Sequence, residues 1–526
     1  MTDGETGGAL GAARDDRRGG DPFEDALALA NHTRATATGP ARRPETGPAT
    51  PSAGGPPTAD SGAAPARGDH DPDAATGSSG PSGPAEDGRP PSSAPRRRPP
   101  ATPWQRARDL AAHAVAGPLA PVATPLAAAL GRTLAVPLTA LTDLPSFDTS
   151  AMDGWAVSGP GPWRVDRPAG AAAGILAGQA PAEVLQDGHA IAIATGARLP
   201  SGATAVLRSE HGEVRDLPGG GRQLHAPRPV PPGQDIRPRG QECRRGDHLL
   251  PAGALVTPAV LGLAAAAGYD ELTAYPPPRA EVFVLGDELL DHGLPQAGRI
   301  RDALGPMLGP WLQALGVVAA APRHLADDAD TLYTALAEST ADVVITTGGT
   351  AAGPVDHVHP TLRRLGAEVL VDGVAVRPGH PMLLARLAPR RHLVGLPGNP
   401  LAAVSGLCTL AEPLLRALAA RRPPAPCRTP LTAPVHGHPH DTRLVPVAYR
   451  DDERYGLTAE PLHFHGPAML RGIAAADALA VVPPGGAQRG TELELLELPW
   501  SAGWSGGGPA DRAALGDPFG PAGGVA

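Results

Sequence analysis

The sequence predicts a multidomain protein of mixed α/β and β class, with a parallel α/β domain in its middle. Three observations carry this. Strand-like and helix-like segments alternate from residue 279 to about 421, which is the pattern of a parallel sheet covered by helices. Short stretches rich in β-formers, punctuated by Gly and Pro, fill residues 151–240 and again 426–500, and they read as two small β domains. Residues 1–100 show almost no apolar periodicity and read as a disordered tail.

Taken in order, the tail is Pro, Gly, Ala, Ser, Asp and Arg, as in "PSAGGPPTADSGAAPARGDHDPDAATG". Such a segment cannot bury enough apolar area to offset its ordering entropy. Within it only "DPFEDALALANHT" has the makings of a short helix. "TPWQRARDLAAHAVAG" then places Trp104, Ala107, Ala111 and Val115 along one helical face. The uncharged run "LLPAGALVTPAVLGLAAAAGY" is broken by Pro251 and Pro258. Thr257 reads as an N-cap, Pro258 as the first helical residue and Gly268 as the stop, so a short helix is expected rather than a membrane span. In the α/β stretch, "RAEVFVLG", "ADVVITTGG" and "RHLVGLPGNP" read as strands. "RDALGPMLGPWLQALG", "DADTLYTALAE", "VHPTLRRLG" and "LAAVSGLCTLAEPLLRALAARR" read as helices. Residues 501–526 are again Gly, Ala and Pro and read as a loose tail.

Composition excludes several classes. All 45 basic residues are arginine, the net charge is −9, and no basic stripe suggests a nucleic-acid partner. The N-terminus lacks a basic segment followed by an apolar one, so no signal peptide is expected. Cys243, Cys408 and Cys427 have no metal-binding spacing, and their odd number completes no disulfide set. A reducing cytoplasm fits. A dinucleotide-dependent dehydrogenase is disfavoured, because no Gly-x-Gly-x-x-Gly turn precedes a ribose-binding acid.

Four loops hold the chemistry. "PSFDTSAMDGWAV" contains Asp153-Gly154, read as a turn or as part of a site. "IAIATGARLPSGATAVLRSEH" runs through Thr195-Gly196 and reads either as a hairpin connection or as a second site loop. In "VFVLGDELLDHG" a strand ends at Gly286, and Asp287 and Glu288 follow. Carboxylates there could hold a divalent cation with substrate phosphates, or simply begin a helix. In "VVITTGGTAAGPVDHV" a strand runs into Gly348-Gly349, with Gly353 and Asp356 beyond. That is how backbone N–H groups are brought to an anion at a strand end. "VRPGHP" adds Arg377, Gly379 and His380, cationic groups suited to phosphate, and "GLPGNP" adds Asn399 as a helix N-cap.

The order and spacing of these loops resemble the molybdopterin molybdenumtransferases, the family that includes the C-terminal part of gephyrin. The resemblance spans residues 104–498 and rests on "SAMDGWAV", "IATGARLPSGATAVLRSEH", "GQDIRPRGQECRRGDHLL", "GDELL", "TTGGTAAGPVDHV", "RPGHP" and "GLPGNPLAAV". It implies an Mg²⁺-dependent enzyme of molybdenum cofactor biosynthesis, with adenylated molybdopterin and molybdate as substrates. It also implies a cytoplasmic homodimer that meets other cofactor-synthesis enzymes and uses neither nucleic acid nor membrane. The implied domains are a discontinuous first domain (104–150 and 241–278), an inserted β domain (151–240), a molybdopterin-binding α/β domain (279–421) and a C-terminal β-barrel-like domain (426–500). In the family the cleft lies between the α/β domain of one subunit and the β domain of the other.

The resemblance assigns catalytic positions to Asp153, Thr195, Glu288 and Asp356, with Glu288 and Asp356 also as metal ligands. It assigns molybdopterin binding to Asp302, Gly348, Gly349, Gly353, Arg377, Gly379, His380 and Asn399. Several residues depart from the family pattern: Ala351 stands for a Ser, Pro354 for an acid, His380 for a Lys, Leu304 for an Asn and Pro467 for a Ser. Gln241-Glu242 stands for Glu-Asp. These departures keep a second reading open, a non-catalytic paralogue that binds molybdopterin, molybdate or a partner protein.

Overall fold

The computed structural model describes residues 101–166, 174–179, 184–350 and 356–501. The tail over 1–100 with its short helix, the segment from 502 onward, and Ala351, Gly353 and Pro354 of the glycine loop lie outside the described residues. The chain forms two compact units, one spanning Asp153–Pro232 and the other built from the segments on either side of it.

The larger unit begins with helix α1, Trp104–Ala112, which buries Trp104, Ala107 and Ala111. Val115 falls beyond the helix end and is only half-buried. Helix α2, Pro258–Ala266, starts as its residues dictate. The Thr257 side chain accepts a hydrogen bond from the Val260 N–H, and Pro258 fills the first helical position, where a missing N–H costs nothing. Alongside it, Glu271–Tyr275 pairs antiparallel with Val122–Pro125 and Thr133–Leu134.

The α/β part is one sheet covered on both faces. Its five main strands are β1 (Arg279–Leu285), β2 (Val343–Thr347), β3 (Glu368–Asp372), β4 (Leu383–Ala388) and β5 (Arg391–Leu396), and two short ones, Val318–Ala319 and Arg323–Leu325, pair parallel with β1. β1, β2 and β5 are parallel neighbours, largely apolar and mostly buried on both sides, with β2 built wholly of β-branched residues. The expectation of a parallel sheet needs one correction. β4 pairs antiparallel with β5, and β3 antiparallel with β4, so one flank of the sheet is antiparallel. A short connection from β4 to β5 permits only that pairing, since a parallel crossover needs a dozen residues or more.

One face carries helix α3 (Leu304–Ala314), packed through Leu304, Leu308, Trp311 and Leu312. The opposite face carries α4 (Ala329–Glu338) and α5 (Val358–Arg364), packed through Leu332, Leu336, Val358 and Leu362. The long helix α6, Pro400–Leu418, returns to the first face. By length and hydropathy α6 could cross a membrane, but its most apolar window is 78% buried within the protein, as suits a core helix. Its middle turn, Leu407–Ala411, widens into a π-helix. Helix α1 docks there: Trp104 Nε1 donates to Thr409 Oγ1 at 3.0 Å, and Arg108 donates to the Cys408 carbonyl.

Five C-terminal strands and two from earlier in the chain form a seven-stranded sheet. Val374–Arg377, which lies between β3 and β4 in the chain, joins that sheet by parallel pairing with Thr442 and Arg443. Thr102–Pro103 extends its edge.

The smaller unit holds a six-stranded sheet in the order Glu213–Asp216, Arg222–His225, Trp163–Asp166, His189–Ile193, Gly154–Val157, Ala205–Arg208. Trp155, Trp163, Leu207 and Leu224 form its core. The loop around Thr195-Gly196 is therefore not a hairpin connection. Its two flanking strands are separated by Gly154–Val157, which pairs with both. Gly154 is likewise a buried strand residue rather than a turn. A Cβ there would lie 2.0 Å from the Leu207 carbonyl oxygen, so only glycine lets the strands meet.

Candidate functional site

The main cleft of the larger unit lies at the carboxyl ends of β1, β2 and β5, where an open α/β sheet exposes its crevice. Its volume is about 690 Å³. β1 delivers Gly286 and Glu288, β2 delivers Gly348 and Gly349, and β5 delivers Gly398 and Asn399. Asp302, Asp327 and Asp356 complete an acidic lining.

Local geometry explains each placement. Gly286 has φ +135, and a Cβ on it would lie 2.7 Å from the Glu288 carboxylate. Glycine thus lets Glu288 fold back over the end of β1. Leu289–Leu290 and Ile300–Arg301 then pair in parallel and carry the chain to Asp302. The Asp302 carboxylate is 4% exposed and largely committed. It accepts the Leu304 N–H at 2.9 Å and the Gly305 N–H at 3.0 Å, which caps α3, and it meets His324 Nε2 at 3.0 Å. Asp302 lines the cleft, and its visible work is to start α3.

Gly348 and Gly349 both adopt positive φ, +82 and +64. The Gly348 N–H donates to the Leu396 carbonyl at 2.9 Å and continues the β2–β5 ladder. The expectation that Gly348 offers a free donor to an anion is therefore corrected, because that N–H already has a partner. Asn399 stands at the N-cap of α6, but its side chain makes no capping hydrogen bond and instead borders the cleft.

Asp356 sits one residue before the N-cap of α5. Its Oδ1 accepts the Val358 N–H at 3.1 Å, and its Oδ2 meets His359 Nδ1 at 2.7 Å. The opposite ring nitrogen, His359 Nε2, meets Asp372 Oδ1 at 3.0 Å. The hydrogen bond to Asp356, with that to Asp372, outweighs partial burial and raises the His359 pKa from 6.5 to about 9. Burial, with the charges of Asp287 and Glu288, pushes the Asp327 carboxyl above its ordinary value.

Arg377, Gly379 and His380 are not among the residues lining this cleft. Arg377 Nε donates to Asp441 Oδ2 at 2.8 Å, and His380 Nδ1 meets the Val374 carbonyl at 2.9 Å. In the smaller unit, Asp153 and Thr195 come together: the Thr195 N–H donates to Asp153 Oδ1 at 2.6 Å. Gly353 lies outside the described residues. The sequence reading passed over Asp327, His359 and Asp372. The spacing Asp356-x-x-His359 at a helix start was a local signal for one of them. The contact of His359 with Asp372, thirteen residues on, is tertiary and leaves no local signature.

Four carboxylates and a glycine turn thus meet at the carboxyl ends of parallel strands, the place where an open α/β sheet binds its ligand. Comparison with known proteins narrows this. Residues 102–268 match the MoeA N-terminal region (domains I and II), 281–417 a probable molybdopterin binding domain, and 428–498 the MoeA C-terminal region (domain IV). The chain is 34% identical over 316 residues to a molybdopterin molybdenumtransferase of Synechococcus elongatus, covering 57% of this chain and 76% of that protein. It is 33% identical over 401 residues to molybdopterin molybdenumtransferase 2 of Mycobacterium tuberculosis, covering 72% and 95%. A solved molybdopterin biosynthesis MoeA protein from Pyrococcus horikosii superposes with TM-score 0.61 at 25% identity, covering 76% of this chain and 99% of that one. The chain belongs to the molybdopterin molybdenumtransferase family.

Proposed function

We propose that this protein transfers molybdenum from molybdate to adenylated molybdopterin with release of AMP, as a step of molybdenum cofactor biosynthesis, and that it acts as a cytoplasmic homodimer. The observation that carries the reading is the placement of Glu288, Asp327 and Asp356 around the glycine turn at the ends of β1 and β2. These acids would repel a bare pyrophosphate, so a cation must accompany it. The donor set fits Mg²⁺, which takes hard oxygen ligands and is commonly held by one or two carboxylates plus substrate phosphates. Among the described residues no three His, Cys, Asp or Glu side chains are grouped to hold a metal alone, so the proposed ion would need ligands from substrate.

When bound, Mg²⁺ would neutralise the pyrophosphate and favour departure of AMP. Glu288 and Asp356 are the residues assigned to hold it. Gly348 and Gly349 keep the floor of the cleft free of side chains, so a flat ring system can approach the backbone. Asp153 orients the Thr195 loop through its backbone hydrogen bond, and the reading assigns that pair to the reaction as well. The family relationship favours the enzyme over the non-catalytic alternative. The test is AMP release from adenylated molybdopterin by the purified protein with molybdate and Mg²⁺, with and without chelator. Binding without turnover under all conditions would favour the alternative.

A further inference from the structure

The residue behind the cleft acid is the feature that the reading above does not use. His359 is held on both sides by carboxylates, with Asp356 Oδ2 at 2.7 Å from Nδ1 and Asp372 Oδ1 at 3.0 Å from Nε2. The three groups come from different elements. Asp356 belongs to the loop before α5, His359 to α5 itself, and Asp372 to the last position of β3. Exposure grades along the row: 10% for the Asp356 side chain, 19% for His359 and 38% for Asp372. Asp356 borders the cleft, whereas neither His359 nor Asp372 lines it.

A carboxylate has two oxygens and about four lone-pair directions. In Asp356 the helix N–H groups use one direction and His359 another, so the carboxylate cannot rotate without breaking both. The same residue lines the cleft. His359 is itself unable to swing, because Asp372 holds its far nitrogen. A ligand carboxylate fixed by a histidine that is fixed in turn by a second carboxylate is an outer-shell arrangement suited to a cation site.

We propose that His359 is a positioning residue that fixes the Asp356 carboxylate for the cleft cation, and that Asp372 fixes the His359 ring. The inference rests on the reading of Asp356 as a magnesium ligand, so the experiment separates the two. The probe is inorganic pyrophosphate, titrated calorimetrically into the full-length protein at increasing Mg²⁺ and constant pH. The quantity read is the Mg²⁺ concentration that half-saturates pyrophosphate binding. His359→Leu should raise it about tenfold, at the lower end of what loss of an outer-shell partner costs. Asp372→Asn should raise it less, about threefold, because the ring keeps its contact with Asp356. His359→Arg, which can donate to both carboxylates, should restore it to near the wild-type value, whereas a purely packing role would not be restored by so different a shape. If His359→Leu fails to fold, His359→Gln, which can donate to only one carboxylate, should show an intermediate shift. Asp356→Asn is the control. If it weakens binding while the His359 variants match wild type, the positioning role is wrong. If Asp356→Asn itself matches wild type, Asp356 is not a ligand and the underlying reading fails.

Discussion

Two turns that depend on glycine, Gly348-Gly349 and Arg377-Pro378-Gly379-His380, serve different surroundings. Gly348-Gly349 follows β2 and opens onto the cleft, with Glu288, Asp327 and Asp356 around it. Arg377-Pro378-Gly379-His380 follows a strand that leaves this sheet and pairs with the C-terminal one. A Cβ on Gly348 would meet only the Leu285 carbonyl oxygen, at 3.3 Å, whereas one on Gly379 would meet Met382 Cε at 2.8 Å and Ser405 Cβ at 3.0 Å. One glycine leaves open space at the cleft, and the other permits dense packing against α6. What separates them is the sheet they leave: the first turn lies at the carboxyl ends of the α/β sheet's parallel strands, where that fold opens a crevice, and the second leaves a strand of the C-terminal sheet.

The largest expected effect tests the cleft side of this contrast. Glu288→Gln and Asp356→Asn keep shape and remove charge. Each should lower AMP release about a hundredfold, equivalent to about 2.7 kcal/mol of transition-state stabilisation. Thermal melting of Glu288→Gln should stay close to wild type, whereas Asp356→Asn, which also loses the charge paired with His359, should melt lower. Full rates in both at saturating Mg²⁺ would make these acids structural and remove the distinction between the two turns.

The second test concerns the packed turn. Gly379 has φ +116, so Gly379→Ala adds backbone strain of about 1–2 kcal/mol to overpacking of about 1–3 kcal/mol. Denaturant unfolding should show a loss of about 3 kcal/mol. Gly348→Ala, at φ +82 with space around it, should lose only about 1–2 kcal/mol but should weaken pyrophosphate binding more than Gly379→Ala does. Equal effects of the two changes on binding would place both turns at the anion.

How far the site was legible follows from the same contrast. Element types were readable because each depends on local pattern: the Thr257-Pro258 start of α2, the apolar runs of β1 and β5 and the β-branched run of β2, and the spacing of Trp104, Ala107 and Ala111. The acids after β1 and β2 were readable because a strand end fixes where the next few residues go. The partners that occupy donors and acceptors were not. Nothing near Gly348 announces that its N–H continues a ladder to Leu396, and nothing near Asp302 announces His324. The strand Val374–Arg377 falls within the 279–421 stretch that the resemblance assigns to the α/β domain, and no local pattern marked it as a strand of another sheet. Its pairing with Thr442 and Arg443 joins segments more than sixty residues apart.

A smaller effect is expected at Arg377. Its side chain is 49% exposed, and its partner Asp441 is 13% exposed. A pair so open to water contributes at most about 1 kcal/mol, so Arg377→Gln should lower stability by no more than that. The same variant tests the role in molybdopterin binding that the family resemblance implies. A loss of pyrophosphate affinity well beyond the change in stability would bring this turn into the anion site in solution.

The smallest effect concerns the base of the strand that feeds the cleft. His392 lies on β5 and is fully buried, with Nε2 3.3 Å from the Ala114 carbonyl. Burial lowers its pKa below the ordinary 6.5, because a charged ring would lose its hydration with little in return. In the unfolded chain the ring takes up a proton below about pH 6.5, whereas in the folded protein it resists. The unfolded state therefore binds more protons in this range, and stability falls as pH falls. The contribution is complete above about pH 6.5 and is lost as pH drops from there towards the lowered folded value. His392→Gln, which keeps an amide N–H for the Ala114 carbonyl and cannot titrate, should show a shallower decline between about pH 7.5 and 5.5. Urea unfolding of both proteins across that range measures the difference directly. Parallel curves would mean that the ring at the base of β5 takes up its proton as easily folded as unfolded, and that this end of the strand is open to water.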